Sequence, residues 1–136
     1  MIRVLLLAPN LRSEIEREAR TAFPRECCGL IEGVRTGEQV QAFALHPTRN
    51  IAQEPNRFEI DPAAHIALMR NLRGTGREIV GCYHSHPDGA AEPSQHDRRS
   101  ASEDGFVWVI AAVARETCEL RAYVHEGEDF RGLDLA

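Results

Sequence analysis

Apolar and polar positions alternate along this chain in short blocks. Ile2–Leu7 is an apolar run of strand length. Ser13 followed three residues later by Glu16 has the form of a capping box, which predicts a helix starting between Asn10 and Ser13 and ending near Ala22, before Pro24. Gly29–Gly33 predicts a short strand, Gly37 a turn, and Glu38–His46 a returning strand with Val40, Ala42 and Ala44 on one face. His46–Asn56 reads as a loop and Arg57–Ile60 as a short strand. Asp61-Pro62 then supplies a cap and a first-turn proline for a second helix, with Ile66, Met69 and Leu72 as its apolar stripe.

After Gly74 and Gly76, Glu78–Tyr83 predicts a strand and His84–Glu92 an irregular segment. Ser94 fits the N-cap of a third helix, Gln95–Asp104, closed by Gly105. Phe106–Ala114 is nearly all apolar and reads as a central strand buried on both faces. Thr117–Val124 is another strand, and the polar tail after Gly127 is expected to be loose at its end. With no repeat or linker, the pattern predicts one α+β domain over residues 1–136, a mixed β-sheet flanked by about three helices.

Composition narrows the function. The chain has 136 residues, 43% hydrophobic and 27% charged, as in ordinary globular proteins. Its net charge is −5, with no basic run beyond Arg98-Arg99, which argues against nucleic acid as a partner. All 16 basic residues are arginine, so lysine chemistry is excluded. No segment has the length of a membrane span or the form of a signal peptide. Cys27, Cys28, Cys82 and Cys118 show no C-x-x-C spacing and read as packed thiols, consistent with a cytoplasmic protein. His46, His65, His96 and His125 are expected in surface or capping roles.

The chemistry concentrates in His84–Asp97. Two histidines one residue apart point to the same side of an extended chain, and Asp97 on the next helix can return to the same point. Two imidazoles and one carboxylate leave a fourth position open, the signature of catalytic zinc, although iron or manganese would also accept these donors. Such a site needs a base near its water and a donor near the carbonyl under attack; Ser94 is placed for the donor role. Without that chemistry, Ser94 would be a helix cap and Asp97 a first-turn acid.

This segment resembles the JAMM (MPN+) metalloprotease motif: His84-Ser85-His86, seven residues from Pro87 to Pro93, then Ser94 and Asp97. Pro24-Arg25-Glu26-Cys27-Cys28-Gly29-Leu30 resembles the family's upstream glutamate phrase. Arg57–Pro62, with Asn50 before it, resembles the phrase between them, so the likeness runs from about Ser13 to Val124. The resemblance implies a cytidine-deaminase-like JAMM fold and one Zn2+ held by His84, His86 and Asp97. It implies Glu26 as proton shuttle from water to leaving amine, with Ser94 donating to the oxyanion. It further implies a peptidase or isopeptidase acting on the C-terminal tail of a ubiquitin-like sulfur carrier protein. Small relatives of this type resemble the CysO-cysteine peptidase group, releasing cysteine or exposing Gly-Gly, which would connect the chain to cysteine biosynthesis. Two alternatives remain: a RadC-like DNA-associated protein, and an inactive MPN-type interaction scaffold.

Overall fold

The computed structural model describes residues 1–136. The strands are β1 (Val4–Leu6), β2 (Cys28–Thr36), β3 (Gln39–Thr48), β4 (Glu78–Pro87), β5 (Val107–Val113), β6 (Cys118–Glu126) and β7 (Asp129–Leu135). The helices are α1 (Pro9–Ala22), α2 (Pro62–Leu72) and α3 (Gln95–Ser100). The expected mixed sheet and three helices are present. The sheet also closes on itself as a barrel in the order β1-β3-β2-β4-β5-β6-β7.

That closure corrects the reading of the C-terminal tail. Residues beyond Gly127 form β7, antiparallel to β6 and parallel to β1, where Leu5 meets Leu135. The Ala136 N–H donates to Leu5 O at 2.9 Å and the Leu7 N–H to Ala136 O at 2.7 Å. The tail is polar, yet its strand is hydrogen-bonded to β6 on one side and its end to β1 on the other.

Helix α1 starts earlier than the Ser13 pattern suggests. Pro9 stands in its first turn, where its fixed φ is pre-set for a helix, and Ser13 is exposed inside the helix. Leu11, Ile15 and Ala19, four residues apart, are buried against Leu5, Ile31, Val40 and Val109. On the other sheet face, Leu68 of α2 and Phe58 pack with Leu30, Cys82 and Trp108. The predicted stripe of α2 holds only at Leu72: Ile66 and Met69 are exposed, and the buried face is Leu68 with Leu72 beside it. The Asp61 cap of α2 is as expected, accepting from the Ala63 N–H at 2.9 Å.

Other boundaries also shift. Residues 57–60 form no strand, only a single bridge between Asn50 and Ile60. Helix α3 ends at Ser100 rather than Asp104. His125 is buried rather than superficial, and His46 lies 2.8 Å from Glu32. Cys27, Cys28 and Cys82 are buried free thiols, while Cys118 is only partly covered.

Strand β4 lies inside the sheet, antiparallel to β2 and parallel to β5. Gly81 permits the close approach to β5, since a Cβ there would sit 2.1 Å from Val107 O. Gly81→Ala is expected to destabilise the fold by about 1–3 kcal/mol, read as a lower denaturant midpoint; an unchanged midpoint would show that β4 and β5 can separate freely.

Glu32 bridges β2 to β3 and to the approach of β4 by accepting from His46 at 2.8 Å and from Arg77 at 2.9 Å. Burial raises its pKa, but the bonds from Arg77 and His46 outweigh burial and hold it below the ordinary 4.5. A lowered folded value means the stabilisation is present at neutral pH and lost as pH falls below that ordinary value. Glu32→Gln should therefore flatten the acid limb of the stability–pH curve, measured by urea unfolding between neutral and acidic pH.

Candidate metal centre

The C-terminal half of β4 carries the site. The strand continues through Pro87, so His84 and His86 lie within it rather than in an irregular segment after it. Strand alternation sends both imidazoles to one face and Tyr83 and Ser85 to the other. His84 is fully buried and His86 nearly so. The His84 ring is clamped by packing: Phe58 stacks on it at 4.1 Å between centroids, and Trp108 meets it edge-on at 5.7 Å. Phe130 of β7 in turn meets Trp108 at 5.1 Å.

Helix α3 brings the carboxylate. Ser94 is its N-cap, accepting from the Asp97 N–H at 3.0 Å, while the Ser94 N–H donates to Asp97 Oδ2 at 2.9 Å. This reciprocal capping box locks the Asp97 side chain. Asp97 Oδ2 lies 3.1 Å from His84 Nε2 and 3.1 Å from His86 Nε2, and the two Nε2 atoms are 2.9 Å apart. For an ion about 2.0–2.1 Å from each atom, tetrahedral ligand edges are about 3.3 Å. The triangle is close to that size.

Proton counting gives the same fit. His86 Nδ1 lies 2.8 Å from Ala90 O, and a carbonyl only accepts, so Nδ1 carries the proton. Burial lowers the pKa of His86, but Asp97 and the Ala90 carbonyl prevail and raise it; in its neutral form the ring presents a lone pair at Nε2 to a carboxylate and a second imidazole nitrogen. His84 can bring at most one proton to this group while it is neutral. Three such atoms in mutual contact match the donor set of a cation. His84 Nδ1 is buried without a polar partner, so packing rather than a hydrogen bond orients that ring.

Electrostatics follow from the same contacts. Burial lowers the pKa of His84 and favours its neutral, ligating form, although Asp97 opposes this. Burial pushes Asp97 up, but the adjoining His84 and His86 rings and the Ser94 N–H prevail and hold it well below the usual carboxylate range.

Glu26 precedes β2 and is 7% exposed. A carboxylate oxygen of Glu26 and a ring nitrogen of each of His84 and His86 all lie within 4.8 Å of one another. Burial pushes its pKa up to about 7; the charge of His86 lowers it and that of Asp97 raises it. Glu26, His86, Ser94, Asn56 and Gly89 border a cavity of about 310 Å³. A groove of about 450 Å³ by Arg20, Phe23 and Arg115 is roomier but gathers no such donors. Beside Glu26, burial pushes the Cys27 thiol up to about 12, which makes it inert as a nucleophile.

All five predicted residues thus meet at one place. Sequence reasoning missed what supports them: Phe58 and Trp108 around His84, and Ser85 and Asn50 behind Glu26. The available signals were Ser85 between the two histidines and the Asn50 and Arg57–Pro62 phrase, which carry the resemblance without showing what these residues support. Replacing the cap gives a check on α3: Ser94→Ala should cost about 1 kcal/mol of stability and Ser94→Gly only a few tenths. Equal losses in thermal unfolding would remove the capping role.

A Desampylase of Haloferax volcanii is 34% identical over 97% of this chain and 95% of its own length. A Probable TtuB-protein conjugate cleaving protease of Thermus thermophilus is 31% identical over 90% of this chain and 75% of its own. The CysO-cysteine peptidase of Mycobacterium tuberculosis is 25% identical over 90% and 83%. Residues 8–125 match the family described as prokaryotic homologs of the JAB domain, and the chain belongs to that family.

Proposed function

We propose that this chain is a zinc-dependent peptidase or isopeptidase with a cytidine-deaminase-like JAMM fold. Its substrate is an amide bond at the C-terminus of a ubiquitin-like sulfur carrier protein, and cleavage releases cysteine or exposes Gly-Gly. The observation that carries the reading is the donor triangle of His84, His86 and Asp97 with the raised, buried carboxyl of Glu26 beside it. The names of the relatives support the substrate class, since they refer to CysO-cysteine and to TtuB-protein conjugates.

His84 Nε2, His86 Nε2 and Asp97 Oδ2 would hold the ion. When bound, zinc acts as a Lewis acid and makes water a nucleophile at neutral pH. Glu26 takes a proton from the attacking water and delivers it to the leaving amine. A pKa near neutrality suits a group that must do both. The Ser94 oxygen is occupied as acceptor by the Asp97 N–H, so its own O–H is free to donate to the oxygen on which charge develops.

The test combines metal analysis with cleavage of a sulfur carrier protein bearing a C-terminal extension. Glu26→Gln should keep its zinc and lose roughly 10²–10⁴ in kcat. His84→Ala and Asp97→Ala should lose zinc and activity together. A fully active Glu26→Gln protein, or full zinc occupancy without His84, would refute the assigned roles.

A further inference from the structure

The peptide group that joins Glu26 to Cys27 is held by side chains at both of its polar atoms. Its carbonyl accepts from Asn50 Nδ2 at 3.0 Å, and its N–H donates to Ser85 Oγ at 2.8 Å. Strand β2 begins only at Cys28, so this peptide stands outside the regular ladder. The Ser85 N–H returns to Cys27 O at 3.1 Å and closes a two-bond ring between β4 and the residue after Glu26.

Both side chains are committed to this purpose. Ser85 is completely buried. It sits between His84 and His86 in sequence, but alternation puts it on the opposite face, away from the donor triangle. Asn50 uses its whole hydrogen-bonding capacity. Its amide donates to the Glu26 and Arg57 carbonyls, and its Oδ1 accepts from the Ala52 and Glu59 N–H groups. Asn50 therefore ties Glu26 to the loop whose Phe58 stacks on His84.

We propose that Asn50 and Ser85 are positioning residues for Glu26. They pin one peptide plane between β4 and the loop of residues 50–60, which sets the distance from the Glu26 carboxyl to the donor triangle. The proposal rests on the reading of Glu26 as the proton shuttle. Its physical reason is the short reach of proton transfer: a misplacement of about 1 Å can cost about 10²-fold in rate.

The test uses Ser85→Ala, which removes the acceptor, and Asn50→Asp, which keeps the acceptor oxygen and removes both donors. In each variant, zinc content should stay at the wild-type level. In Ser85→Ala, the Cys27 amide should exchange with solvent deuterium about ten-fold faster or more, while amides of β5 keep their rates. In both, kcat should fall roughly 10–100-fold with KM nearly unchanged. In a Glu26→Gln background, Ser85→Ala should cost less than about two-fold, because the group it positions is already gone. Wild-type kcat in both variants, loss of zinc, or fully additive losses with Glu26→Gln would overturn the proposal. If the wild-type protein cleaves no carrier conjugate, the proposed activity falls. Exchange then decides separately: an unchanged Cys27 rate in Ser85→Ala overturns the clamp, and an accelerated one upholds it.

Discussion

Two imidazole nitrogens and one carboxylate oxygen crowd into mutual contact at 2.9–3.1 Å, buried and with few protons to share. Buried polar atoms are costly unless each finds a partner. In its neutral form the His86 ring has its one proton committed to Ala90 O, so its second nitrogen brings only a lone pair. A divalent cation balances that arrangement directly. The assignment of function depends on this local imbalance, because the same residues spread over a surface would be ordinary.

The fold can be understood as the means of maintaining it. Strand β4 is internal, so its position is fixed from both sides by β2 and β5. Its two faces do different work. Tyr83 and Ser85 look toward α1 and the start of β2, while His84 and His86 look toward Phe58, Trp108 and α3. The capping box of α3 fixes Asp97 from within its own helix, and Arg98 then anchors that short helix to Asp129 of β7. Closure of the barrel by β7 also places Phe130 behind Trp108, so the C-terminal strand reaches His84 through two aromatic contacts.

What was legible in the sequence was local. His84, His86, Ser94 and Asp97 are close in the chain, and their spacing carries direct geometric meaning. Asp61-Pro62 marked its helix for the same reason. The misreadings arose where distant parts of the chain choose between local possibilities. Helix α2 has apolar residues all around, and only packing against Leu30, Trp108 and Phe58 selects Leu68 over Ile66 and Met69. Residues 57–60 have strand composition, but the Glu59 N–H is taken by the Asn50 side chain instead of a ladder. The tail became β7 because β1 and β6 leave edges for it, which no tail residue announces. Glu26 was legible only through the phrase around it, since nothing in a lone glutamate predicts its burial.

The most direct test is a crystal structure of the zinc-loaded protein with anomalous data at the zinc edge. The account predicts one ion about 2.0–2.1 Å from His84 Nε2, His86 Nε2 and Asp97 Oδ2, with Glu26 outside bonding distance. An ion bonded by Glu26 in place of Asp97, or absent from between the two histidines, would contradict it.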